Sequence, residues 1–221
     1  MNECCAQDAP RVLVLGVGNL LWADEGFGVR CVEALGARWR LDGDVSLVDG
    51  GTQGLALLGV IGESSHVLLF DALDFGHPPG TLLVYRDDEV PAAMGRDKMS
   101  LHQAGMNDVL ACVELLGRSP RRLTLIGVQP VQLDDYGGSL TPIVRQRVEQ
   151  AVAIALEELG RWGISLQPRA REAAQVREVL APALGLAVYE QGRPDEQLAC
   201  RTGDDRVLAH ARARAAGVSG A

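Results

Sequence analysis

Two carboxylates stand side by side, Asp24 and Glu25, in the stretch GVGNLLWADEGFG that follows the apolar run VLVL. A third, Asp71, closes the run HVLLFD, and a fourth, Asp49, closes VSLVD just ahead of Gly50 and Gly51. His102 stands in SLHQAGMNDVL. Carboxylate oxygens and an imidazole nitrogen are the donors of first-row metal sites with open coordination positions, and the same groups carry protons in general acid–base chemistry. Brought together, Glu25, Asp71 and His102 make such a site, with Asp49 on its border. Each also has a plain structural use. Asp24 is placed as the N-cap of the helix that follows and Glu25 favours the positive end of that helix; Asp71 can cap the turn ALDFGHPPG, and His102 can be an ordinary first-turn histidine.

The glycines of the first loop invite a different chemistry, since Gly16 and Gly18 follow a strand as they do in a dinucleotide-binding fold. That fingerprint needs a small residue three positions further on, so that helix and strand can pack closely. Leu21 stands there instead, and Asp49 comes 31 residues after Gly18 rather than about 20. The acids Asp24 and Glu25 also lie where a pyrophosphate would sit. Gly16 and Gly18 therefore read as the makers of a tight strand-to-helix turn. The chain has no G-x-S-x-G elbow and no P-loop, so serine hydrolase and nucleotide triphosphatase chemistry have no support. His66 and His77 read as structural or solvated, Tyr136 with Gly137 and Gly138 as a turn, and Cys31 and Cys112 as core residues on apolar helix faces.

The elements that must position these groups alternate between strand and helix. Apolar runs at 11–17, 45–49, 66–72, 81–86 and 122–128 read as strands, three of them nearly continuous, as expected when both faces are covered. Helices are expected at about 26–39, 53–62 and 100–116. Another begins where Thr141 supplies an N-cap and Pro142 the first helical position, with Leu140, Val144, Val148, Val152, Leu156 and Leu159 as its stripe. The run at 81–86 follows the third strand after only a Gly/Pro-rich turn, too short for a helical crossover, and is expected to be antiparallel. The fold class is α/β: a doubly wound, mostly parallel five-stranded twisted sheet flanked by helices on both faces, with an irregular C-terminal extension. In such a fold the loops after the first and third strands open on one edge, where ligands bind.

Composition bounds the rest. The chain has 221 residues, 47% hydrophobic, with a formal net charge of −8, which argues against nucleic acid or anionic membrane as partner. Five cysteines form no C-x-x-C pair, no secretory leader is visible, and no stretch approaches the roughly 18 apolar residues of a membrane span. A cytoplasmic monomer with free thiols is expected. Residues 1–10 read as a lead and 11–163 as the α/β domain. Residues 164–221, with 8 Arg against 7 acids, read as an extension, partly helical near 170–180 and weakly ordered over its last twenty residues.

The stretches VLVLGVGNLLWADEGFGVR, DGGT, LLFDAL, PGTLLVYRDDEVP, S-x-H-Q and LTLIGVQP occur in one order. Together they resemble the maturation endopeptidases of nickel–iron hydrogenases over about residues 11–163. The resemblance implies an endopeptidase that removes a C-terminal peptide from the precursor of the hydrogenase large subunit after nickel insertion. It implies Glu25, Asp71 and His102 as metal-contacting residues, with the nickel carried by the substrate and only weakly held by the enzyme; Asp49 is an outside candidate for a general base. Members serving membrane-bound uptake hydrogenases carry longer C-termini, which leans the resemblance toward that subgroup. Two other readings of the same residues are a self-sufficient metal-dependent peptidase or hydrolase and a non-catalytic metallochaperone for the precursor.

Overall fold

The computed structural model describes residues 9–94, 101–133, 135–169 and 180–193, with 101–104 described as backbone. The first strand, β1 (Val12–Val17), leads through a one-turn 3-10 helix (Ala23–Gly26) into α1 (Phe27–Arg38). Then come β2 (Trp39–Asp42), β3 (Val45–Gly51), a second 3-10 turn (Gly54–Leu57) with α2 (Leu58–Gly62), and β4 (His66–Ala72). They are followed by β5 (Leu82–Arg86), α3 (Glu89–Met94), α4 (Leu101–Leu115) and β6 (Arg122–Val128). The long α5 (Pro142–Arg161), β7 (Ser165–Pro168), a third 3-10 turn (Pro182–Leu184) and α6 (Leu186–Gln191) complete the described chain.

Five strands form the main sheet in the order β3-β1-β4-β6-β5. All neighbours are parallel except β5, which pairs antiparallel with β6, as the short turn before it requires. Alternation along the strands splits the core into two. Val12, Val14, Leu68, Phe70, Ile126 and Val128 face α1 and α5, meeting Phe27, Cys31, Leu35, Val144, Val148 and Leu159. Leu13, Leu15, Val67, Leu69, Leu123 and Leu125 face the other way, toward Ile61, Val90, Met94, Met106, Val109 and Val113 of α2, α3 and α4. Burial of that apolar surface on both sides, worth about 25 cal/mol per Å², is what makes the strands read as continuous apolar runs.

Elements outside the expected pattern are α3, α6, and β2 with β7, the two strands forming a second, antiparallel sheet. The expected helix near 170–180 and the last twenty residues lie outside the described residues. Among the described residues no helix is long and apolar enough to cross a membrane.

Candidate functional site

The chain leaves β1 for β3 on one side of the sheet and leaves β4 for β6 on the other. The C-terminal ends of β1 and β4 therefore flank the switch point at which open α/β sheets bind ligands. Gly16 of β1 stands opposite Phe70 of β4 on one side and Asp49 of β3 on the other. Asp71 is the next residue after Phe70, so Asp49 and Asp71 close the two strands that sandwich β1. Asp71 is fully buried, and its Oδ1 accepts the Ala72 amide at 2.8 Å.

Glu25 reaches the same edge from the loop after β1. Gly18, at φ 124°, takes a conformation that side chains rarely adopt, and a Cβ there would fall 1.8 Å from the Glu25 carbonyl oxygen. The Gly18 amide meanwhile donates to the Gly51 carbonyl at 3.0 Å, tying the loop to the end of β3. Helix α1 follows at equally short range: a Cβ on Gly28 would meet the Phe70 carbonyl at 2.2 Å and the Val17 carbonyl at 2.3 Å. The expected use of the loop glycines, a tight strand-to-helix turn, is what they serve.

Asp24 does something other than cap that helix. The N-cap of the 3-10 turn is Trp22 and that of α1 is Gly26, neither with a side-chain capping bond. The Asp24 carboxylate is fully buried and accepts the amides of Val131 at 2.9 Å, Gln132 at 3.1 Å and Thr141 at 2.7 Å, plus the Thr141 hydroxyl at 3.0 Å. The N-cap expectation is thus corrected: four donors arriving from a distant loop hold this acid more strongly than one local amide would. The loop is fixed a second time by Trp22, which bridges to Tyr136 and meets its ring edge-on at 5.3 Å. Glu25 itself is half-buried.

His102 lies in the first turn of α4, and its side chain lies outside the described residues. The placement of α4 is visible one turn on, where Gly105 packs against Gly54, a Cβ there standing 3.6 Å from the Gly54 Cα. The start of α4 therefore lies on the turn that follows β3. Among the described residues no group of three His, Cys, Asp or Glu gathers at metal-holding distance.

Asp49 is half-buried, and its Oδ1 accepts the Gly51 amide at 2.9 Å, closing a turn across Gly50. Burial pushes its carboxyl above the usual range, against the opposing pull of that hydrogen bond and of the Arg30 charge. Arg30 is a residue that sequence reasoning missed, because on α1 it reads as a surface position. It is 4% exposed, pairs with Glu33 at 2.8 Å and donates to the Leu184 carbonyl at 2.6 Å. Gln129 was equally silent. Its buried side chain accepts the amides of Phe75 and His77 and donates to Asp74, shaping the loop that follows Asp71. Among the described residues His66, His77 and Cys31 sit as expected: His66 meets Trp162 edge-on at 5.2 Å, His77 is an exposed loop residue, and Cys31 is fully buried in the core. Cys112 departs from the core position expected of it: it is half-buried on α4, because its helix turns that position toward the surface.

The fold is that of a doubly wound α/β protein, with Asp49 and Asp71 near the ends of strands β3 and β4 and Glu25 in the loop after β1. Comparison with known proteins makes the class specific. The family model for hydrogenase maturation protease matches residues 29–158. The hydrogenase expression/formation protein HupD of Rhodobacter capsulatus is 53% identical over 198 residues, covering 90% of this chain and 93% of its own. The hydrogenase 2 maturation protease of Escherichia coli is 44% identical over 160 residues, 72% of this chain and 96% of its own. Among solved structures, the hydrogenase maturating endopeptidase HybD of E. coli superposes with a TM-score of 0.69 at 43% identity, over 72% of this chain and 98% of that one. This chain belongs to the hydrogenase maturation protease family, and it is a peptidase. The relatives also divide by length. An alignment covering 90% of the chain must run well into residues 164–221, whereas the HybD chain is used up after 72%.

Proposed function

We propose that this peptidase removes a C-terminal peptide from the precursor of a nickel–iron hydrogenase large subunit once nickel has been inserted, and that Glu25, Asp71 and His102 meet that nickel. The observation that carries the reading is that the turn bearing Glu25 packs against β4, near whose end Asp71 is buried, at the switch point between β1 and β4. Supporting it, α4 begins at the same edge of the sheet, and the family is named for hydrogenase maturation.

Two carboxylates and an imidazole are hard and borderline donors that suit nickel without the grip of thiolates. Such a set senses a metal carried in by the substrate and does not strip it away. The substrate's nickel supplies Lewis acidity or a fixed position for the attacking water. Asp49, with its raised proton affinity and its place at the end of β3, is the outside candidate for the base. The test compares processing of the precursor with and without nickel. Cleavage confined to the nickel-loaded form supports the reading. Broad peptidase activity with a firmly held stoichiometric metal would replace it with a self-sufficient metallopeptidase, and stable binding without cleavage with a chaperone.

A further inference from the structure

The segment 180–193 is anchored in the body of the protein by polar bonds rather than by its short helix alone. Arg30, nearly fully buried, donates to the Leu184 carbonyl at 2.6 Å and lies under the Tyr189 ring, 5.4 Å from its centroid. Glu33 accepts the Leu186 amide at 2.8 Å. Glu190 accepts the Ser139 hydroxyl at 2.7 Å and pairs with Arg145, while the Tyr189 hydroxyl donates to the Gly138 carbonyl at 3.2 Å. A buried arginine spent on a segment of the extension implies that the segment's position matters.

That position is beside the proposed site. Val188, Tyr189 and Ala183 form one wall of a cleft of ≈ 390 Å³, and Leu21, Tyr136 and Gly137 form the other. The cleft is mostly apolar and open, with Arg193 its one charged lining residue: Leu21 is 41% exposed, Tyr136 46% and Val188 53%. It is continuous with the loop of Glu25, because Leu21 and Trp22 run directly into the turn Ala23–Gly26. The Gly137 amide, donating to the Leu21 carbonyl at 2.7 Å, holds that wall rigid.

We propose that residues 180–193 are a client-recognition wall, and that the cleft they complete seats an extended apolar stretch of the client polypeptide. The inference rests on the proposed function, since it places the client's scissile bond at Glu25. Leu21 stands four positions before Glu25, a span on the order of 10 Å, which an extended peptide covers in about three residues. The apolar stretch therefore lies about three residues from the bond that is cut.

The test measures cleavage of the nickel-loaded large-subunit precursor by wild type, Val188→Asp and Val188→Ile. Val188 is exposed, so neither variant disturbs the core. A charge in the apolar cleft raises KM by at least about tenfold with kcat little changed, while Val188→Ile stays near wild type. Wild-type cleavage with equal KM for Val188→Asp overturns the wall and leaves the proposed function standing. No cleavage by wild type overturns both. A wild-type protein that self-associates, and becomes monomeric with Val188→Asp, contradicts the inference by making a second copy the occupant.

Discussion

Asp24 and Thr141 are 117 positions apart and joined by two hydrogen bonds, at 2.7 Å from the Thr141 amide and 3.0 Å from its hydroxyl. The carboxylate next to the proposed metal contact is thereby bound to the start of α5, whose first residue is Pro142. With the Val131 and Gln132 amides it has four donors, all of which lose this acceptor if the carboxylate is removed. Asp24→Ala is expected to cost about 3–4 kcal/mol in urea unfolding and to lower processing activity, because Glu25 rides on the turn that Asp24 holds. A loss under about 1 kcal/mol would contradict the clamp.

Gly28→Ala tests the close packing of α1 on the ends of β1 and β4. The new methyl would lie 2.2 Å from the Phe70 carbonyl and 2.3 Å from that of Val17, both backbone atoms that cannot swing aside. A loss above about 3 kcal/mol, or failure to fold, is expected. Gly59→Ala in α2 is the control. A Cβ there meets nothing within 4 Å, and thermal unfolding should show it neutral or stabilised by about 0.5–1 kcal/mol.

The frame was legible in the sequence because its forces are local or periodic. Val12–Val17 and His66–Ala72 are buried on both faces, and such strands announce themselves as apolar runs. Pro142 marked the start of α5 as a local signal; Thr141 stands at the N-cap position, but its hydroxyl goes to Asp24 and makes no capping bond. What stayed hidden depends on pairs distant in the chain. Trp39–Asp42 becomes a strand only because Ser165–Pro168 lies against it, and four residues carry no periodicity of their own. Asp24 looked like a helix cap because a sequence shows the neighbouring amides and not Thr141. Arg30 drew no notice in the sequence because the carbonyl it holds, that of Leu184, is 154 positions away. Glu25, Asp71 and His102 were nameable as a set from fold logic and resemblance together; spacing alone assembles no such trio.

Asp49→Asn separates a stability effect from a chemical one. Burial raises the Asp49 carboxyl above its ordinary range, so the native state binds its proton more tightly than the unfolded chain does. Stability is then lost as pH rises from the unfolded value, about 4, through the raised native value. Asparagine keeps an oxygen for the Gly51 amide and removes the charge. The variant should be more stable than wild type at pH 7 and no more stable below about pH 4, which urea unfolding at the two pH values checks. If Asp49 is the base, processing by the same variant falls by about 100-fold or more; unchanged processing removes it from that role.

Glu25→Gln, Asp71→Asn and His102→Ala each remove one proposed metal contact with little change in volume at the two acids. Each should lower kcat/KM on the nickel-loaded precursor by about 100-fold or more, with circular dichroism unchanged. Wild-type rates in any of the three would strike that residue from the site.

The most direct test incubates the enzyme with nickel-loaded and nickel-free large-subunit precursor and follows the precursor by intact-mass measurement. Loss of a C-terminal peptide from the nickel-loaded sample alone is the predicted result. Equal cleavage of both samples, or of neither, would contradict a site that reads the substrate's nickel through Glu25, Asp71 and His102.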